Sequence, residues 1–133
     1  MRLFIHFSLI LGLLFTCFNC AKENPTQPQN HSPEILSLDA FPDTIGLSDS
    51  VIVICEAIDP DGDTLVYDWI TDGRVRIKGY NHSWLYNTSD NTHIFYPTEY
   101  VNFPMDTLWI QCFARDGRGK SDNGTVVFIV KQN

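Results

Sequence analysis

Basic residues are scarce in this sequence. Nine Lys and Arg stand against sixteen Asp and Glu, a formal net charge of −7. Nucleic-acid affinity comes largely from neutralising phosphates, and proteins that use it carry a basic stripe. Here the cations fall in two short groups, Arg74/Arg76/Lys78 and Arg115/Arg118/Lys120, both set among acids. Nucleic acid is therefore not an expected partner, and the acidity reads as a solubility device. Long apolar runs are lacking too. The run from Leu3 to Phe15 is interrupted by His6, Ser8 and Gly12. At about 13 residues it falls short of the roughly 20 that a membrane-spanning helix needs. Catalytic signatures are also missing. There is no serine in a nucleophile-elbow context and no His-x-x-x-His pair. The acids sit in turn-like segments, without the buried, raised carboxyl that paired-acid hydrolysis requires. No enzymatic activity is expected.

What is present at the N-terminus differs in kind from the rest. Met1-Arg2 is a short positive region and Leu3–Phe15 has the length of a signal-peptide apolar core. Two cysteines follow, Cys17 and Cys20, and then a polar stretch with three prolines, residues 21–33. This order resembles a bacterial lipoprotein leader. The resemblance implies a lipidated cysteine that becomes the first residue of the mature chain. Cys20 is favoured because Ala21-Lys-Glu-Asn-Pro follows it directly; Cys17 is the alternative, with Leu14 three residues before it. An ordinary secretory signal or an uncleaved anchor is the second reading, and a reactive or metal-binding Cys17-x-x-Cys20 pair the third. Residues 1–20 are thus expected to be a signal segment and 21–33 a Pro-rich tether reaching at most about 40 Å. The chain is expected in the bacterial envelope, anchored in the outer membrane or at the cell surface.

Residues 34–133 alternate short apolar runs with dense turn signals. Strands are expected over 34–41, 51–57, 64–70, 74–78, 92–97, 107–115 and 125–131, with 79–91 irregular. Val51, Val53, Cys55 and Ala57 share one face at period two, and Leu65, Tyr67 and Trp69 another. Asp59-Pro-Asp-Gly-Asp63 lies between them, a turn in which Pro fixes φ, Gly permits positive φ and Asp bonds its own backbone. About seven strands without a helix predict an all-β antiparallel sandwich of the immunoglobulin type. The run Ala57-Ile-Asp-Pro-Asp-Gly-Asp-Thr-Leu-Val-Tyr-Asp-Trp69 carries a closer likeness. With Phe95-Tyr-Pro97, Phe113-Ala-Arg-Asp-Gly-Arg-Gly119 and a Val-rich closing strand, it resembles the PKD-type immunoglobulin-like domain. That resemblance implies a fold and an extracellular setting, not one activity.

Within such a sandwich Cys55 and Cys112 lie on facing strands, and export permits a disulfide between them; two buried thiols are the other reading. The immunoglobulin-type pair departs from the PKD pattern. With these cysteines and Trp69 inward, alternation sends Val66, Ile70, Trp109 and Phe113 outward. That is more apolar surface than a solvated face needs, and so a candidate face for a protein partner; cover from residues 79–91 is the bland reading. Asp59, Asp61, Asp63 and Asp116 fall in two loops at one end, a candidate Ca²⁺ site by oxygen count, or simply turn formers. Tyr80, Trp84, Tyr86, Tyr96 and Tyr100 crowd the middle third; exposed, they could stack on sugar rings, and buried they are core. The expected role is a protein-binding, adhesion or spacer module, with a carbohydrate-binding accessory module as the alternative.

Overall fold

Alternating inward apolar and outward side chains build nine strands among the described residues. They are β1 (Glu34–Phe41), β2 (Thr44–Gly46), β3 (Val51–Ile58), β4 (Val66–Thr71), β5 (Val75–Ile77), β6 (Trp84–Thr88), β7 (Thr92–Pro97), β8 (Met105–Arg115) and β9 (Ser121–Lys131). The computed structural model describes residues 28–98 and 104–132. The signal segment, Cys17, Cys20, the first part of the 21–33 linker and Tyr100 lie outside the described residues.

Two sheets pack face to face. One has four strands in the order β1-β3-β7-β5, the other five in the order β2-β9-β8-β4-β6. Every pairing is antiparallel except β2 with β9. This is the all-β, immunoglobulin-like sandwich the sequence pattern predicts. Between the sheets lie Val51, Val53 and Cys55 of β3, Trp69 of β4, Phe95 of β7, Leu108, Ile110 and Cys112 of β8, and Phe128 and Val130 of β9, all at most 1% exposed. Burying each such side chain contributes roughly 1.5–3 kcal/mol as an upper estimate. Trp69 is the central piece: its ring meets His93 edge-on at 5.4 Å and Phe95 at 5.7 Å, and its Nε1–H donates to the Asp90 carbonyl at 3.4 Å.

Three details depart from the sequence reading. Asp72-Gly73 reads as a hairpin turn that would set the 74–78 strand beside β4, but the residues after it do not return there. β5 crosses to the other sheet and pairs with β7, because Val75 and Ile77 both need burial and are 0% exposed there. The Thr71 hydroxyl helps hold the crossing: it lies 2.9, 3.0 and 3.1 Å from the carbonyls of Asp72, Val75 and Ser83 and donates to one at a time. The edge beside β4 is filled instead by β6, from the stretch expected to be irregular. Finally, β9 starts at Ser121, four residues before the expected strand, and pairs with β8 along its full length.

Cys55 and Cys112 stand in the core as free, fully buried thiols. They are in contact. Hydrogen bonding to Cys55, with burial, pushes the Cys112 thiol well up, and the same bond lowers Cys55. The cross-link between them is not made in this structure.

Candidate binding surface and loop cluster

The outer face of the five-stranded sheet carries the four residues expected there. Val66 and Ile70 come from β4, and Trp109 and Phe113 from β8; Trp109 is 38% exposed and the others are half-buried. Cross-strand register extends the face in both directions. Ile70 pairs with Trp84 of β6 on one side and Gln111 of β8 on the other. Trp109 pairs with Val127, and Gln111 with Thr125, of β9. Pairing partners project to the same side of a sheet, so Trp84, and Tyr86 two residues on, share the face with Trp109 and Phe113. Trp84 is 48% and Tyr86 52% exposed. Two of the aromatics weighed for sugar stacking, Trp84 and Tyr86, therefore lie on the face expected for a protein partner, whereas Tyr96 belongs to β7 of the four-stranded sheet and Tyr80 packs edge-on to His93 beyond β5. From strand spacing and rise, Trp84 and Trp109 stand about 12 Å apart at their backbones.

Polar groups interrupt the aromatics. The Asp68 carboxylate accepts from the Arg115 guanidinium at 2.8 Å and from the Asn87 backbone N–H at 2.8 Å. Arg115 also donates to the Asn87 side-chain oxygen at 2.6 Å. Asn87 sits at φ 57°, in the left-handed region that Asn tolerates better than most residues. This bulge lets β6 follow β4 past a register shift. The Gln111 amide donates to the Asn123 side-chain oxygen at 3.2 Å. His82 stacks on Trp84 with ring centroids 4.9 Å apart and holds that indole from one side. The surface thus combines flat apolar rings with amide and charged groups at hydrogen-bonding reach between them.

At one end of the sandwich the acidic loops form a second cluster. Asp59, Asp61 and Asp63 each present a carboxylate oxygen within 4.8 Å of the others. Their oxygens already serve the local fold. Asp59 Oδ1 accepts the backbone N–H groups of Asp61 and Asp63 at 2.8 and 3.2 Å, closing the turn. Asp63 pairs with Arg118 at 3.0 Å. Asp61 is engaged by the linker: His31 N–H donates to its Oδ2 at 2.6 Å and the His31 ring Nδ1 lies 2.8 Å from its Oδ1. The backbone bond and the ring bond from His31 hold the Asp61 carboxyl below its ordinary range. Asp116 is outside that group of three. It is 4% exposed and caps its own turn, accepting from the backbone of Arg118 at 2.7 Å and Lys120 at 3.0 Å, and from Asn30 at 2.6 Å. Burial pushes its carboxyl up, but these bonds outweigh it and the net direction is down. Asp59 Oδ2 and Asp63 Oδ2 have no hydrogen-bond partner, so they are the atoms a divalent cation would meet. Arg118 already supplies positive charge to one of them, Asp63.

The end of the linker is therefore not a free tether. Asn30 and His31 dock on the loops, Pro33 is buried, and the Ile35 N–H donates to Asp122 at 2.9 Å. Sequence reasoning missed this clasp; the signal was the pairing of a polar Asn-His step with acids far along the chain.

No family model and no curated protein matches the chain. Solved structures do. A carbohydrate-binding module of the β-sandwich superfamily superposes with TM-score 0.56 at 21% identity, over 79% of this chain and 36% of that one. A nucleoside hydrolase-related protein from Saccharophagus degradans, associated with carbohydrate metabolism, superposes with TM-score 0.50 at 18% identity, over 78% of this chain and 26% of that one. The chain thus spans about a third or less of the length of these two neighbours. At such identities the likeness establishes the fold, a β-sandwich of the immunoglobulin-like type.

Proposed function

We propose that the chain is an exported, lipid-anchored binding module that takes a carbohydrate chain on the outer face of its five-stranded sheet. The observation that supports this reading is the set of exposed rings, Trp84, Tyr86 and Trp109, on one sheet face, with Gln111 between them and Asn87 and Arg115 beside Tyr86. Aromatic faces stack on the apolar faces of sugar rings, while neighbouring amides and guanidinium groups bond hydroxyls. The carbohydrate-binding module among the structural neighbours shares the fold. The PKD-type resemblance and the lipoprotein-like leader, with Cys20 or Cys17 as the acylated residue, belong to the same reading of a surface-held module.

Affinity electrophoresis through gels containing glucans, xylan or mannan tests it. Retardation by at least one polysaccharide is expected, lost on Trp84→Ala and on Trp109→Ala with unchanged melting temperature. Free migration across the whole panel would remove the carbohydrate reading. The second reading is a protein partner on the same face. Val66, Ile70 and Val127 favour it, since aliphatic side chains serve a protein surface better than a sugar. In that case both Trp variants lose the partner and no polysaccharide retards the chain.

A further inference from the structure

The turn between β8 and β9 leaves a hollow at the end of the aromatic face. Its volume is about 310 Å³, and it is lined by Arg115, Gly117, Gly119, Lys120 and Ser121. That size suits one ring or charged group of a ligand. Arg115 continues the outward series Trp109, Gln111, Phe113 along β8, and it pairs with Ser121 of β9. The hollow therefore opens on the same side of the sheet as the rings. By strand spacing and rise, Arg115 stands about 12 Å from Tyr86 at the backbone. Its guanidinium reaches the Asn87 side chain, next to Tyr86, at 2.6 Å.

The charges around the hollow are unequally committed. Arg118 turns away to Asp63 at 3.0 Å. The Asp116 carboxylate is 4% exposed and accepts from the backbone of Arg118 and Lys120 and from the Asn30 side chain, so it is engaged inside the turn. Arg115 gives one nitrogen, Nη2, to both Asp68 and Asn87, and its Nε–H has no partner. Lys120 is exposed, and among the described residues no carboxylate lies within ion-pair distance of it. Gly117 and Gly119 sit at φ 71° and 95°, where side chains are rare. That wall is bare backbone, and a Cβ at either position would meet nothing within 4 Å. An open hollow with an uncommitted ammonium, a guanidinium with donors to spare and a hydroxyl suits an anion. In a chain of net charge −7 it is a local exception.

We propose that this hollow takes the anionic group, carboxylate or sulfate ester, of an acidic polysaccharide whose neighbouring sugar units lie on Tyr86 and Trp84. Lys120 is the ion-pair partner, and Arg115 and Ser121 donate hydrogen bonds. The proposal rests on the carbohydrate reading above and narrows it to uronic-acid or sulfated glycans. The rings hold the chain by stacking. The hollow selects acidic over neutral sugars, because a neutral hydroxyl forms no ion pair with Lys120.

Isothermal titration calorimetry of the full chain in detergent tests it. Galacturonate and alginate oligomers supply the carboxylate, carrageenan oligomers the sulfate ester, and glucan, xylan and mannan oligomers the neutral comparison. At least one acidic class is expected to bind about tenfold more tightly than every neutral one, the weight of one charge-assisted hydrogen bond. Which class does so names the anionic group. Lys120→Gln should erase that preference and Lys120→Arg should keep it, both with unchanged melting temperature. Trp84→Ala should weaken whatever oligomer binds. A neutral oligomer bound through Trp84, with no acidic class preferred, overturns the proposal and leaves the carbohydrate reading standing. So does an acidic preference that survives Lys120→Gln. No heat from any oligomer removes the proposal and the carbohydrate reading together.

Discussion

His31 closes on Asp61 through two contacts at once, its backbone N–H at 2.6 Å and its ring Nδ1 at 2.8 Å from the two carboxylate oxygens. Sixteen acids in the chain thus include one whose work is to hold the linker against the β3–β4 loop. The Asp61 carboxyl is lower in the folded chain than its ordinary 3.8. A depressed carboxyl contributes above its unfolded value and its contribution fades as pH falls through the folded one. The clasp is therefore expected to be intact from neutral pH down to about 4 and to release below that. Limited proteolysis at neutral pH checks the contact itself. Asp61→Ala should raise cleavage within residues 28–33 several-fold and leave the sandwich core resistant; equal cleavage of both proteins would show that His31 is held by something else.

The sandwich was legible in the sequence because its central strands are long and strictly alternating. Val51, Val53 and Cys55, or Leu108, Ile110, Cys112 and Ala114, leave no other reading, and all are 0% exposed. The edges were not legible. β5 and β2 are three residues each and β6 is five with a bulge, too short for periodicity to register. Choice of sheet is a tertiary matter: Val75 and Ile77 alternate equally well beside β4 or beside β7, and only the space over the core decides. For the same reason Trp84 and Tyr86 stood out as exposed-or-buried candidates, yet nothing local tied them to Trp109. That link passes through the register of β6 on Ile70.

Gly124 is a finding the strand pattern hid. It reads as a turn residue but lies within β9 opposite Cys112. A Cβ there would meet Leu38 Cδ2 at 3.3 Å and Leu38 Cβ at 3.7 Å. Leu38 of β1 fills the space that a side chain would take. Gly124→Val is expected to destabilise the domain by roughly 1–3 kcal/mol, the usual cost of overpacking. Leu38→Ala in the same chain should recover part of that loss in urea unfolding. If the two substitutions simply add, the close approach does not limit the site.

His93 should make the domain acid-sensitive. It is 9% exposed, lies edge-on to Trp69 and Phe95, and its Nε2 has no hydrogen-bond partner. Burial pushes its pKa below the ordinary 6.5, partly opposed by the nearby Asp90 carboxylate; Lys78 and Tyr80 face it from the β5 side. A ring kept neutral in the fold binds fewer protons than in the unfolded chain, so stability is full above about 6.5 and declines as pH falls below it. The melting temperature of the wild-type chain should fall between pH 7.5 and pH 5.0. His93→Phe should flatten that dependence. An unchanged slope would assign the acid sensitivity to the carboxylates instead.

Cys55 and Cys112 are buried side by side on β3 and β8, with the Cys112 thiol bonded to its neighbour. They stand as thiols here, and an oxidising compartment is expected to join them, because buried neighbours on facing strands need no long movement to bridge. In the chain-entropy account a loop of this length adds about 4 kcal/mol. For a domain near 100 residues that corresponds to a melting temperature at least about 15 °C higher in the oxidised form. Intact mass of the exported chain, before and after reduction, reports the bond directly as a gain of two hydrogens. Thermal melts with and without reductant report its weight. A reduction that changes the mass but not the melt would mean the sandwich is held by Trp69 and its neighbours alone, with the bridge adding strain equal to its entropy. No change in mass would leave the pair as two core thiols, as inert as the valines around them.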